Sequence, residues 1–126
     1  MLRAATARAI CGAGLHPSLG IFHRHPRNAM ALADDLMEPF RPVVDLLVRQ
    51  ALDEGEGRMT PDVKKRLAGV LAYDLVSAAG TTPLGTCVQR LAQSLASCYL
   101  DGATVLDLPD VEVPADGRED ADEPPF

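Results

Sequence analysis

Thr60-Pro-Asp-Val-Lys-Lys-Arg-Leu-Ala-Gly-Val-Leu-Ala-Tyr-Asp-Leu-Val-Ser-Ala-Ala-Gly80 and Thr82-Pro-Leu-Gly-Thr-Cys-Val-Gln-Arg-Leu-Ala-Gln-Ser-Leu-Ala-Ser-Cys98 are the stretches on which the fold turns. Thr60 offers a capping hydroxyl, Pro61 suits the first helical position and Asp62 complements the helix dipole, so a helix starts there. Val63, Leu67, Val70, Leu71 and Val76 read as its buried face, which predicts a helix running to about Ala79 and ended by Gly80. Thr82-Pro83 repeats the start signal. Leu84, Val88, Leu91, Leu95 and Cys98 then alternate spacings of four and three, close to a heptad seam, so this helix lies inside the packing and stops at Gly102.

Working outward, Asn28 reads as the cap of a helix over about 29–38. Pro39 and Pro42 lack the N–H and bend the chain, and a second helical run follows over 43–52. Residues 2–13 are Ala-rich and helical, without a capping residue before them; Gly12 and Gly14 end them. Thr104-Val-Leu-Asp-Leu108 is a possible short extended segment. With no strand-and-hairpin pattern read anywhere, the expected fold class is all-α. Four to five helices occupy one domain over residues 1–106, and an acidic, disordered tail covers 107–126.

Composition narrows the partners. From Asp107 onward eight acids stand against Arg118 alone, a balance of −7 within a total of −6, so residues 1–106 carry +1. No acid precedes Asp34, whereas Arg3, Arg8, Arg24 and Arg27 do, so the low overall charge does not exclude a polyanionic partner. No apolar run reaches the ~18 residues of a membrane span, and no signal peptide is read at the start; a cytoplasmic protein without membrane contact is expected. Cys11, Cys87 and Cys98 form no C-x-x-C pair and read as small buried hydrophobes.

The ionisable groups concentrate in Gly14-Leu-His-Pro-Ser-Leu-Gly-Ile-Phe-His23 and the following Arg24 to Pro42. On a helix, Asp35 and Glu38 share a face, as do Asp34 and Glu38. Two carboxylates beside a histidine begin a site for Mg²⁺ or Mn²⁺, and Arg24, Arg27 and Arg41 suit a phosphate backbone. The same acids equally read as a solvated face that complements the helix dipole, His16 as a loop hydrogen-bonder and His25 as a surface residue.

The run Gly14 to His23, together with Ala33-Asp-Asp-Leu-Met-Glu-Pro-Phe-Arg-Pro-Val-Val-Asp45, resembles the signature of the CRISPR-associated endonuclease numbered one, the spacer-adaptation integrase, in its type II form. Thr60-Pro-Asp-Val-Lys and Leu91-Ala-Gln-Ser-Leu95 fit the same family, over about residues 2–108. The resemblance implies a helical catalytic domain, a metal-dependent DNA endonuclease that inserts spacers into a repeat array, and Mg²⁺ or Mn²⁺ as cofactor. It implies His23 and Glu38 as catalytic metal ligands, with Asp35 near the metal. Its implied partners are double-stranded DNA (spacer precursor and repeat), a second copy in a homodimer, and CRISPR-associated protein two in a hetero-oligomer. Family members also carry a β-rich N-terminal domain and a glutamate ligand well upstream of the histidine. Neither stands in this sequence, so a C-terminal fragment is expected, with weak metal binding, little nuclease activity alone, and incompletely covered apolar surface on residues 2–13. The alternative is a catalytically dead helical remnant that binds DNA or an intact protomer.

Overall fold

The helix opened by Thr60 forms as its chemistry dictates: the Thr60 hydroxyl accepts a hydrogen bond from the Val63 N–H at 3.3 Å. It stops earlier than its apolar pattern suggests. In the computed structural model, which describes residues 1–23, 25–77 and 80–109, helix α1 spans Leu2–Gly12, α2 Ala31–Met37, α3 Arg41–Glu54, α4 Pro61–Ala68 and α5 Leu84–Asp101. Strand β1 covers Asp74–Ser77 and strand β2 Gly80–Pro83. Single 3₁₀ turns occupy Glu38–Phe40 and Val70–Ala72.

The two strands correct the all-α expectation. They pair antiparallel in the register Asp74↔Pro83, Leu75↔Thr82, Val76↔Thr81 and Ser77↔Gly80. The cause lies in residues 69–83. Gly69 ends α4, and the following residues obey a period of two: Leu75 is buried while Val76 is 68% exposed. Val76, Thr81 and Thr82 are β-branched and favour a pleated backbone. Gly80 adopts φ +120° and opens β2; it does not close a helix. The Leu84 N–H donates to the Tyr73 carbonyl at 2.8 Å, extending the pairing into the first turn of α5.

The seam of α5 is buried as its spacing requires: Leu84, Val88, Leu91 and Leu95 lie in the core, and Gly102 ends the helix at φ +68°. Each buried aliphatic side chain contributes about 1.5–3 kcal/mol of transfer free energy. Ile10 from α1, Leu32 and Leu36 from α2, Phe40 from the 3₁₀ turn and Leu75 from β1 complete the same cluster. Pro39 and Pro42 break the second helical region as expected, the interruption being the Glu38–Phe40 turn. α1 buries Leu2, Thr6, Ala7 and Ile10. Beside it an open groove of about 530 Å³ is lined by Ala5, Ala9, Gly12, Leu71 and Gly85.

Smaller expectations also shift. Cys11 is exposed and Cys87 and Cys98 are half-buried, all three as free thiols. Residues 103–109 form no strand, although the Asp107 N–H bonds the Ser94 hydroxyl at 2.9 Å. Residues 110–126, most of the predicted tail, lie outside the described residues. Among the described residues no helix is long and apolar enough to cross a membrane.

Candidate functional site

Gly14, at φ +83°, turns the chain out of α1 into the loop 15–30. Leu15 and Ile21 anchor that loop to the core, and the Pro17 carbonyl accepts the Leu32 N–H at 2.7 Å. Gly20 lies against the backbone: an added Cβ would overlap the His23 carbonyl oxygen and stand 2.9 Å from the Ala31 Cβ.

The centre of the arrangement is Asp35, whose side chain is only 4% exposed. Its Oδ2 accepts the N–H groups of Ile21 at 2.5 Å and Phe22 at 3.0 Å, and its Oδ1 accepts the His23 N–H at 3.1 Å. The His23 ring bonds the same Oδ1 through Nδ1. An ionised carboxylate only accepts, so Nδ1 carries a proton, and in the neutral form of the ring Nε2 is the lone-pair nitrogen. Burial pushes the Asp35 carboxyl up, but the bonds from Phe22, the His23 ring, Ile21 and the His23 N–H outweigh it and hold the group below the ordinary carboxylate value. With four donors on its two oxygens, Asp35 orients His23 as a carboxylate orients a ligating histidine.

A second network braces the cradle from α1. The Arg3 guanidinium grips Asp34 with Nε to Oδ1 at 2.8 Å and Nη2 to Oδ2 at 3.0 Å, and reaches Asn28 Oδ1 at 3.2 Å. Asn28 Nδ2 donates to Asp34 at 2.9 Å, and Asn28 Oδ1 accepts the Met30 N–H at 3.0 Å. Asn28 therefore shapes the turn before α2 without capping it, and the helix begins at Ala31. The bonds from Arg3 and Asn28 hold the Asp34 carboxyl below its ordinary value.

The sequence-predicted residues divide accordingly. His23 and Asp35 are joined directly. Glu38 follows one turn later with its side chain 47% exposed, and it pairs with Arg41 at 3.1 Å. Arg27 lines an open groove of about 640 Å³ with His16, Leu19, His23, His25 and Asn28. Arg24 lies outside the described residues. His16 accepts the Ser18 N–H within its loop, and His25 accepts the Arg27 N–H from an exposed position. Among the described residues no three His, Cys, Asp or Glu side chains stand together so as to hold a metal ion.

Sequence reasoning missed the roles of Arg3, Asn28 and Gly20. The Gly20-Ile-Phe-His23 run hints at a tight turn, but nothing in the sequence signals that Arg3 meets Asp34 across 31 positions.

The profile of the family described as "CRISPR associated protein Cas1" matches residues 1–74. The chain is 42% identical over 77 residues to the CRISPR-associated endonuclease Cas1 of Neisseria meningitidis serogroup C (strain 8013), covering 60% of this chain and 25% of that one. It is 34% identical over 99 residues to CRISPR-associated endonuclease Cas1 2 of Pyrobaculum aerophilum, covering 76% and 33% respectively. Among solved structures, a casposase bound to an integration product shares the fold, with a TM-score of 0.73 at 21% identity over 89% of this chain and 38% of that one. The chain thus spans a third or less of the length of these curated relatives. With the match over more than half its residues, the chain belongs to the Cas1 family of CRISPR-associated proteins.

Proposed function

We propose that this chain is the helical, site-bearing part of a DNA endonuclease and integrase that acts in CRISPR spacer acquisition. The observation that carries the reading is the Asp35 cradle, which holds the His23 ring through Nδ1, Asp35 itself standing one helical turn before Glu38 in the chain. Nδ1 is committed to a buried carboxylate, so the proton cannot migrate to Nε2 without losing that bond.

His23 and Glu38 are two donors of the kind a hard or borderline divalent ion takes, but they do not complete a shell. In this reading a further anionic donor joins them, as the family's upstream glutamate would. Bound Mg²⁺ or Mn²⁺ would supply Lewis acidity and a more acidic water at a phosphodiester. The chain's own residues do the positioning: Asp35 holds His23, Arg41 holds Glu38, and Arg27 offers charge to phosphate along the groove. Double-stranded DNA, a second copy of the chain and CRISPR-associated protein two in the cytoplasm are the partners this reading implies.

The second reading, a remnant that binds DNA or a complete protomer without turnover, draws support from the short donor set and from the Arg41–Glu38 pair that competes for a cation. Mn²⁺ titration followed by electron paramagnetic resonance, combined with cleavage of branched and duplex DNA, separates the two. Weak Mn²⁺ binding lost in His23→Ala and Glu38→Ala, with turnover appearing only when an intact homologue's missing segment is added, supports the enzyme. DNA binding with no turnover under any addition identifies the remnant. Full turnover by the chain alone, abolished by His23→Ala, would refute the incompleteness of the donor set.

A further inference from the structure

Two histidines of the loop 15–30 are held in one tautomer by the chain itself. His16 Nδ1 accepts the Ser18 N–H at 3.3 Å, with the Ser18 hydroxyl 2.6 Å away, and His25 Nδ1 accepts the Arg27 N–H at 3.2 Å. A ring nitrogen that accepts carries no proton, so this network assigns the proton of both rings to Nε2. Each imidazole is thereby left with one N–H donor beyond the loop's own bonds.

Both rings line the groove of about 640 Å³ together with Arg27. Among the described residues that groove holds one permanent cation, Arg27, and no carboxylate. Asp34, which is bonded to the lining residue Asn28, is neutralised by Arg3. One cation is too few to follow a nucleic-acid backbone, which takes several phosphate contacts. One cation with two neutral donors matches a single phosphate group. A phosphate monoester presents three strong acceptor oxygens, a phosphodiester one fewer, and the guanidinium and the two Nε2–H groups supply a donor for each. We infer that His16, His25 and Arg27 form a receptor for one phosphate monoester, carried by a DNA end or by a free mononucleotide. His23 stays outside this set, because its Nδ1 is bound to Asp35 and its Nε2, in the neutral ring, has no proton to donate. The inference goes beyond the nuclease reading; only its DNA-end source depends on the chain binding DNA.

The test uses the full chain, ¹⁵N-labelled at histidine and titrated with thymidine 5′-monophosphate, with thymidine as the control lacking the phosphate. Saturable shifts of the His16 and His25 Nε2 resonances are expected with the monophosphate and none with thymidine. His16→Asn and His25→Asn keep a side-chain oxygen for the N–H two residues on and delete the Nε2 donor. Each is expected to weaken monophosphate binding roughly tenfold, the size of a lost hydrogen bond to a charged group, with the Ser18 and Arg27 amide resonances in place. A duplex carrying a 5′-phosphate that binds more tightly than the same duplex without it, the difference vanishing in both variants, supports the DNA end as the source. Equal binding of the two duplexes, or binding of neither, with the monophosphate still held, supports the free nucleotide; binding of neither also removes the DNA reading. No saturable shift at either ring, or undiminished monophosphate affinity in both variants, overturns the receptor. The wild-type titration decides alone if a variant disturbs its loop.

Discussion

Replacing Asp35 by Asn changes one heavy atom and no volume, which isolates the electrostatics of the cradle. The amide oxygen can still take the Ile21 and Phe22 N–H groups, but as a neutral acceptor; each bond falls from the charged to the neutral range, a loss of about 1 kcal/mol. The amide nitrogen now faces the His23 N–H, donor against donor, and that orphaned group costs about 1–3 kcal/mol. The sum, about 3–5 kcal/mol, is a large fraction of the 5–15 kcal/mol typical of a domain. The new amide N–H also requires His23 Nδ1 to accept, which moves the ring proton to Nε2 and removes the lone pair the site offers. Urea denaturation followed by circular dichroism measures the first effect, and the imidazole ¹⁵N shifts measure the second. A destabilisation under about 1 kcal/mol, together with an unchanged tautomer, would refute the cradle as described.

Two further outcomes follow from the same geometry. Gly20→Ala forces a methyl into the His23 carbonyl and the Ala31 methyl; a loss of about 1–3 kcal/mol is expected, with displaced amide resonances for residues 21–23, and wild-type spectra would contradict it. Both Asp34 and Asp35 are held below their ordinary value of 3.8 in the folded chain. The stability they contribute is therefore complete above that value and is lost as pH falls through the lower folded values. Thermal melts should be flat in this respect near neutrality and drop in acid, and Asp34→Asn should flatten the acid limb; a melt that strengthens below pH ~4 would refute the assignment.

The sequence was most readable where a local rule acts within one turn. The Thr60 hydroxyl and the Gly14 and Gly102 positive φ angles are properties of a few neighbouring residues, and they stand where the pattern puts them. The hairpin was lost because Val70, Leu71 and Val76 satisfy a helical period, although Val70 and Leu71 lie in a 3₁₀ turn and Val76 faces outward from the strand whose buried residue is Leu75. Gly69 and the β-branched Thr81 and Thr82 decide against the helix, through pairing that no window within 60–80 contains. At the site, the carboxylate-and-histidine grouping was legible as composition. The division of labour was not: Asp35 and Glu38 look equivalent on a helical wheel, and only the fold shows that loop N–H groups 12 to 14 positions upstream engage Asp35 while Glu38 stays half exposed.

The cradle also bears on the order in which the molecule assembles. Asp35 and its donors are only 12 to 14 positions apart, whereas the contact between α1 and α5 joins segments separated by at least 72 positions. Loop-closure entropy rises with the length closed, so the turn that aims His23 belongs to the cheap, near-neighbour part of the landscape and the α1–α5 closure to the slow part. Hydrogen exchange should accordingly find the amides of Ile21, Phe22 and His23 protected in the same early unit as α2, ahead of the helices that enclose them.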